Sequence, residues 1–128
     1  MKKSDKHKEI RRIPDTELYV MQILWDMEPP VKRAEIEAKM QEKHPVAQTT
    51  LLTLLTRLAE KDFVKIEKEG RGSVYTPLVG KEEYLACQSK RFLERVCGGS
   101  IPAFAAALSD SGISKEDLAT LRELLREE

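Results

Sequence analysis

Thr49, Thr50 and Thr53 stand close together in a stretch without glycine or proline, with Leu52 among them and Arg57 one turn further on. A threonine hydroxyl can hydrogen-bond to a base edge, and its methyl can rest against a thymine methyl; Leu52 could make the same apolar contact. Arginine suits phosphate oxygens. Arg71 lies between Gly70 and Gly72, where a small backbone lets the chain approach a phosphate or a minor groove. Tyr75 carries a hydroxyl that could reach a phosphate or a ring that could pack beneath the chain. Each residue also has a plain structural reading. The threonines and Leu52 could simply occupy a solvated helix face, Arg57 could pair with Glu60, and Arg71 could sit in a solvated turn.

Other chemistries find little support. There is no Gly-rich phosphate loop, no zinc-ligand spacing and no nucleophile elbow. His7 and His44 are isolated, and His44 reads as a turn residue within reach of a phosphate at most. Cys87 and Cys97 lie ten apart, too far for a paired thiolate metal site, and read as free thiols in a reducing compartment. No enzyme, cofactor or metal is expected.

The elements that would carry these residues follow from periodicity. Pro14 with Asp15 and Glu17 marks a helix start, and Leu18, Met21, Leu24 and Trp25 recur at helical spacing over about 15–27. Trp25 belongs to that apolar stripe and is expected in the core. A second helix, between Val31 and Lys43, has a modest apolar face of Ala34, Ile36 and Met40 and lacks a good cap at Lys32. The third, about 47–61, has the strongest pattern: Leu51, Leu54, Leu55 and Leu58 form a buried stripe. Its other side carries Gln48, Thr49, Leu52, Thr53, Thr56 and Arg57. From Phe63 to Lys68 the pattern changes to period two, and Ser73–Thr76 forms a second strand across a Gly-Arg-Gly turn. Three helices followed by a hairpin is the winged helix-turn-helix arrangement.

After Gly80 the chain is helical again. Glu82–Val96 contains Leu85, Phe92, Leu93 and Val96, and Gly98-Gly99 ends it. Residues 102–108 include Phe104 and are Ala-rich; Ser114 caps a last helix with Leu118, Leu121, Leu124 and Leu125 on one face. Three such helices cannot bury their apolar faces alone, so a second copy is expected across Phe92, Val96, Phe104, Leu118, Leu121 and Leu125. The expected organisation is therefore a flexible basic arm (1–12), a winged helix-turn-helix domain (13–80) and a helical dimerisation domain (81–128), mainly α with a small β-hairpin.

The 22 basic and 22 acidic residues cancel, which gives no overall support to nucleic-acid binding. The first twelve residues nonetheless hold six basic side chains against two acidic ones, a composition fit for tracking phosphates or for a solvated terminus. No run approaches the roughly 20 apolar residues of a membrane span, and no apolar stretch follows the basic start as in a secretory signal. A cytoplasmic protein without membrane insertion is expected.

In Glu17–Trp25, Ala34-Glu35-Ile36, Thr50–Leu58, Tyr75-Thr76-Pro77, Phe92-Leu93 and Gly98-Gly99, the chain resembles the BlaI/MecI/CopY penicillinase-repressor family along nearly its whole length. The resemblance implies a homodimeric repressor that reads inverted repeats of TACA/TGTA elements in double-stranded DNA through the third helix. It also implies release by proteolysis in the tail, triggered by a membrane sensor-peptidase, or, in one branch, by copper. The copper branch's Cys-x-Cys is absent here. The family's scissile Asn-Phe falls at Ala107-Leu108, and Thr49 and Leu52 replace residues that are often basic. Two other readings follow from the residues: a ligand-responsive regulator with a pocket lined by 102–108, and a winged-helix protein-interaction module that binds no DNA.

Overall fold

A computed structural model of the chain describes residues 10–126. The described residues fall into two compact units, one ending at Cys87 and one beginning at Gln88. Within the first, helix α1 spans Asp15–Trp25, strand β1 Val31–Lys32, α2 Arg33–Lys43, α3 Gln48–Glu60, β2 Val64–Glu69 and β3 Gly72–Pro77. Helix α4, Lys81–Arg91, runs on through a π-helical stretch, Phe92–Val96, and α5 (Ile101–Asp110) and α6 (Lys115–Leu125) complete the second unit.

The core of the first unit joins the apolar sides of α1, α2 and α3 to the sheet. Val20, Met21 and Leu24 meet Ile36, Met40 and the leucine stripe of α3, and Phe63 closes the space beneath the hairpin. Trp25 packs against this core, and its Nε1 donates to the Val79 carbonyl at 2.9 Å. The sheet is antiparallel with order β1-β3-β2, Val31 facing Tyr75 and Val64 facing Pro77. Between β2 and β3, Glu69 pairs with Gly72, leaving Gly70 and Arg71 as a two-residue turn. Gly70 takes φ +64° while Arg71 stays at negative φ, the pattern of a type II′ hairpin turn.

Several boundaries differ from the sequence reading. Val31-Lys32 is a strand rather than the start of the second helix, because the backbone at Val31 pairs with β3. Helix α2 begins at Arg33, and the Lys32 amide donates to Glu35 Oε1 at 3.1 Å, so a carboxylate caps the start where Ser or Thr was lacking. Ala34 is exposed and drops out of the apolar face. Ile10 is buried with Ile13, so packed structure begins inside the segment read as an arm. Arg11 and Arg12 are exposed; residues 1–9, with most of the basic side chains of that arm, lie outside the described residues. The first unit extends past Gly80 because Tyr84 is buried, its hydroxyl accepting from the Ile13 amide at 3.0 Å.

In the second unit, the π-helical stretch closes as the Gly99 amide reaches back to the Leu93 carbonyl at 2.7 Å, with Gly98 and Gly99 at positive φ. Ser100 and Ser114 cap α5 and α6 by accepting from the Ala103 and Asp117 amides. Phe92 and Phe104 meet edge to face at 5.6 Å.

Candidate nucleic-acid interface

The leucine stripe of α3 fixes which side of the helix faces outward. Leu51, Leu54, Leu55 and Leu58 are buried, so the opposite side must carry Thr49, Thr53 and Thr56 down its centre. Leu52 and Arg57 flank that line and Thr50 lies toward one edge; all six are exposed. The threonine cluster is thus brought together on one surface. Glu60 continues the same face at the far end of the helix, where its negative charge repels phosphate and leaves the N-terminal half as the part suited to a groove.

Thr53 is only partly available. Its Oγ1 donates to the Thr49 carbonyl at 3.0 Å, so its proton is used inside the helix, while its lone pairs and methyl remain outward. Arg57 has no ion-pair partner among the described residues, and the expected alternative of a pair with Glu60 is not formed. At the start of α3 the N-cap is Ala47, whose side chain satisfies none of the free amides of the first turn. Those amides and the positive end of the helix dipole are suited to an anion.

Gln48, at the first position of α3, is absent from the sequence-derived candidates. Its Nε2 donates to Glu37 Oε1 across a long 3.4 Å, and Arg33 Nε holds Glu37 Oε2 at 3.3 Å. The Arg33/Glu37 spacing of four is visible in the sequence, but its reach to Gln48 depends on how α2 and α3 pack across their turn. Thr56 was likewise seen on the outward side but not singled out. The turn itself is held by Gln41 Nε2 donating to the Val46 carbonyl at 2.7 Å and by His44, whose ring stacks on Tyr19 at 3.7 Å. That stack holds His44 against α1, away from the role of a free phosphate ligand.

Arg71 stands exposed at the tip of the hairpin, without an ion-pair partner among the described residues. Tyr75 is a correction. It is 3% exposed, in the central strand, between Val31 of β1 and Ile66 of β2, and its ring belongs to the core. Of the tail residues, Val96 and Leu125 are largely exposed, Phe92 less so, and Phe104, Leu118 and Leu121 are half-buried. Ala107-Leu108 lies inside α5 rather than in a loop. Among the described residues no helix is long and apolar enough to cross a membrane, and no cluster of His, Cys, Asp or Glu is arranged to hold a metal.

Comparison with known proteins places this arrangement. The model of the penicillinase repressor family matches residues 13–127. The penicillinase repressor of Bacillus licheniformis is 30% identical over 121 residues, covering 94% of each chain. The transcriptional regulator BlaI of Mycobacterium tuberculosis is 31% identical over 77 residues, 60% of this chain and 56% of that one. Two solution structures share the fold of the winged-helix domain, the head, at 32% identity. The DNA-binding domain of the repressor BlaI aligns with a TM-score of 0.52 over 57% of this chain and 88% of that one. The monomeric form of Bacillus licheniformis BlaI in complex with the blaP half-operator aligns with a TM-score of 0.50 over 59% and 90%. The chain therefore belongs to the penicillinase-repressor family of winged-helix, DNA-binding transcriptional repressors, not to a family of enzymes.

Proposed function

We propose that the protein is a homodimeric repressor that binds an inverted-repeat operator with TACA/TGTA-like half-sites. The N-terminal half of α3 enters the major groove, with Thr49, Thr50, Leu52 and Thr53 against base edges. Arg57 and the hairpin residue Arg71 hold phosphates on either side. The observation that carries this reading is the likeness of the head to a relative solved on a half-operator.

One head meets only one half-site. Two heads in a dimer lie about one DNA turn apart, roughly 34 Å, and joining two weak contacts raises affinity without any new one. The tail supplies the second copy through the apolar side chains of Phe92, Val96, Phe104, Leu118, Leu121 and Leu125. Release follows from whatever separates the tails. Proteolysis by a membrane sensor-peptidase or its protease partner is one such event, and at Ala107-Leu108 it requires local unwinding of α5, since a protease takes an extended chain. With a net charge of zero, phosphate binding rests on local cations rather than on the field of the whole chain.

The test is selection from a random duplex library at about 100 mM salt, a concentration that suppresses purely electrostatic retention. Enrichment of an inverted repeat with TACA/TGTA halves is expected. A folded dimer that enriches no sequence would overturn the reading and leave a protein-interaction role for the winged helix.

A further inference from the structure

A cleft of about 480 Å³ opens in the first unit, away from the outward face of α3, which contributes no residue to its lining. The volume lies within the range of small-molecule sites, about 300–1,000 Å³. Its walls come from α1, the C-terminal end of α2 and the first turn of α4.

The chemistry of the lining is divided. Trp25, half-buried, presents its ring, and the buried Tyr84 forms the floor behind it; their polar atoms are already used, the indole N–H on the Val79 carbonyl and the phenol on the Ile13 amide. Leu18 and Ile23 continue this apolar wall, and the stacked rings of Tyr19 and His44 add a flat aromatic edge. Cations lie around it. Lys39 is drawn to Glu42 at 3.6 Å, but Lys43 and Lys81 have no ion-pair partner among the described residues. Asp26 is the one carboxylate in the lining. An apolar aromatic wall with two unpaired ammonium groups matches a molecule with a flat apolar body and one negative charge. A neutral aromatic would leave the lysines without a counter-charge, and a small inorganic anion would leave the rings uncovered.

We propose that this cleft is a binding site for a small aromatic carboxylate, its ring against Trp25 and the Tyr19–His44 stack and its carboxylate between Lys43 and Lys81. The site is distinct from the 102–108 segment expected from sequence to line a pocket. It adjoins the turn that sets α3, through Lys43 and His44, and leaves the outward face of α3 free.

The experiment is calorimetric titration of the full chain, without DNA, with naphthoate and with the uncharged naphthalenemethanol. Saturable binding of one naphthoate per chain is expected, with the alcohol weaker by about tenfold, as loss of two partly screened charge contacts implies. Lys43→Glu with Lys81→Glu alters only exposed side chains, so the fold is retained, checked by an unchanged circular dichroism spectrum. The double variant is expected to weaken naphthoate by about tenfold or more and the alcohol little. Absence of saturable binding, equal binding of acid and alcohol, or an unchanged affinity in the double variant would each overturn the site. Because no operator enters the measurement, its failure is separate from failure of the DNA-binding reading.

Discussion

Gln48 and Arg71 are suited to two different kinds of contact with DNA. Glutamine can hydrogen-bond an adenine through both its donor and its acceptor, and Gln48 begins the end of α3 suited to a groove. In the free protein its amide rests on Glu37 through a long bond, itself held by Arg33, so little is lost when it turns to a base. Gln48→Ala is expected to relax sequence preference at one position in each half-site, read as lost information in duplex selection, with overall affinity for random DNA unchanged. Arg71 at the hairpin tip should behave oppositely. Arg71→Ala is expected to weaken all sequences alike and to lower the salt slope of log K by about one; a changed base preference would make it a base reader. The threonine face was legible in the sequence because it is the complement of the leucine stripe. Tyr75 stayed open in the sequence between a phosphate contact and a packed ring because period two says only that neighbours point to opposite faces. In a central strand both faces can be covered, and here Val74 and Tyr75 are both buried.

The head's elements are locked by one ion pair that no local pattern announces. Glu17 of α1 is 2% exposed, and Lys61, just after α3, reaches its Oε1 at 2.6 Å. From sequence Glu17 was only an acidic residue in a first turn, favourable to the helix dipole. Its partner is 44 residues away, and such pairings depend on packing rather than spacing. Removing Lys61 strands a buried carboxylate, whereas removing both charges does not. Lys61→Ala is expected to destabilise the fold by about 2–3 kcal/mol, below the range for fully buried pairs because the lysine keeps some solvent contact. Glu17→Leu with Lys61→Met should recover most of that loss. Urea unfolding midpoints give both values, and a double variant no better than the single would remove the pair from this role. Strand β1 escaped notice for a similar reason: two residues are too few to show a period, and their pairing with β3 is non-local. The helices, hairpin and serine cap at Ser114 were legible because each is written in adjacent residues.

At the scale of the whole molecule the two units differ in how well they bury themselves. The first holds a continuous apolar core, whereas among the described residues from Gln88 to Arg126 none is buried. A short helical segment with little buried area has little independent stability, and the proposed second copy would cover its apolar side chains. The choice of variant decides whether this can be tested cleanly. Leu121 is half-buried, so a charge there disturbs the fold as well as any interface. Leu125 is 75% exposed and Val96 70% exposed; neither is needed for the unit's own packing. Leu125→Asp is therefore expected to leave helix content intact, to shift sedimentation from dimer toward monomer, and to lower affinity for the full inverted repeat by about a hundredfold. Affinity for an isolated half-site should stay the same, since the head is untouched. Equal loss on half-site and full site would mean that the substitution harms the head. A dimer of undiminished strength for both Leu125→Asp and Val96→Asp would show that the second copy is held elsewhere.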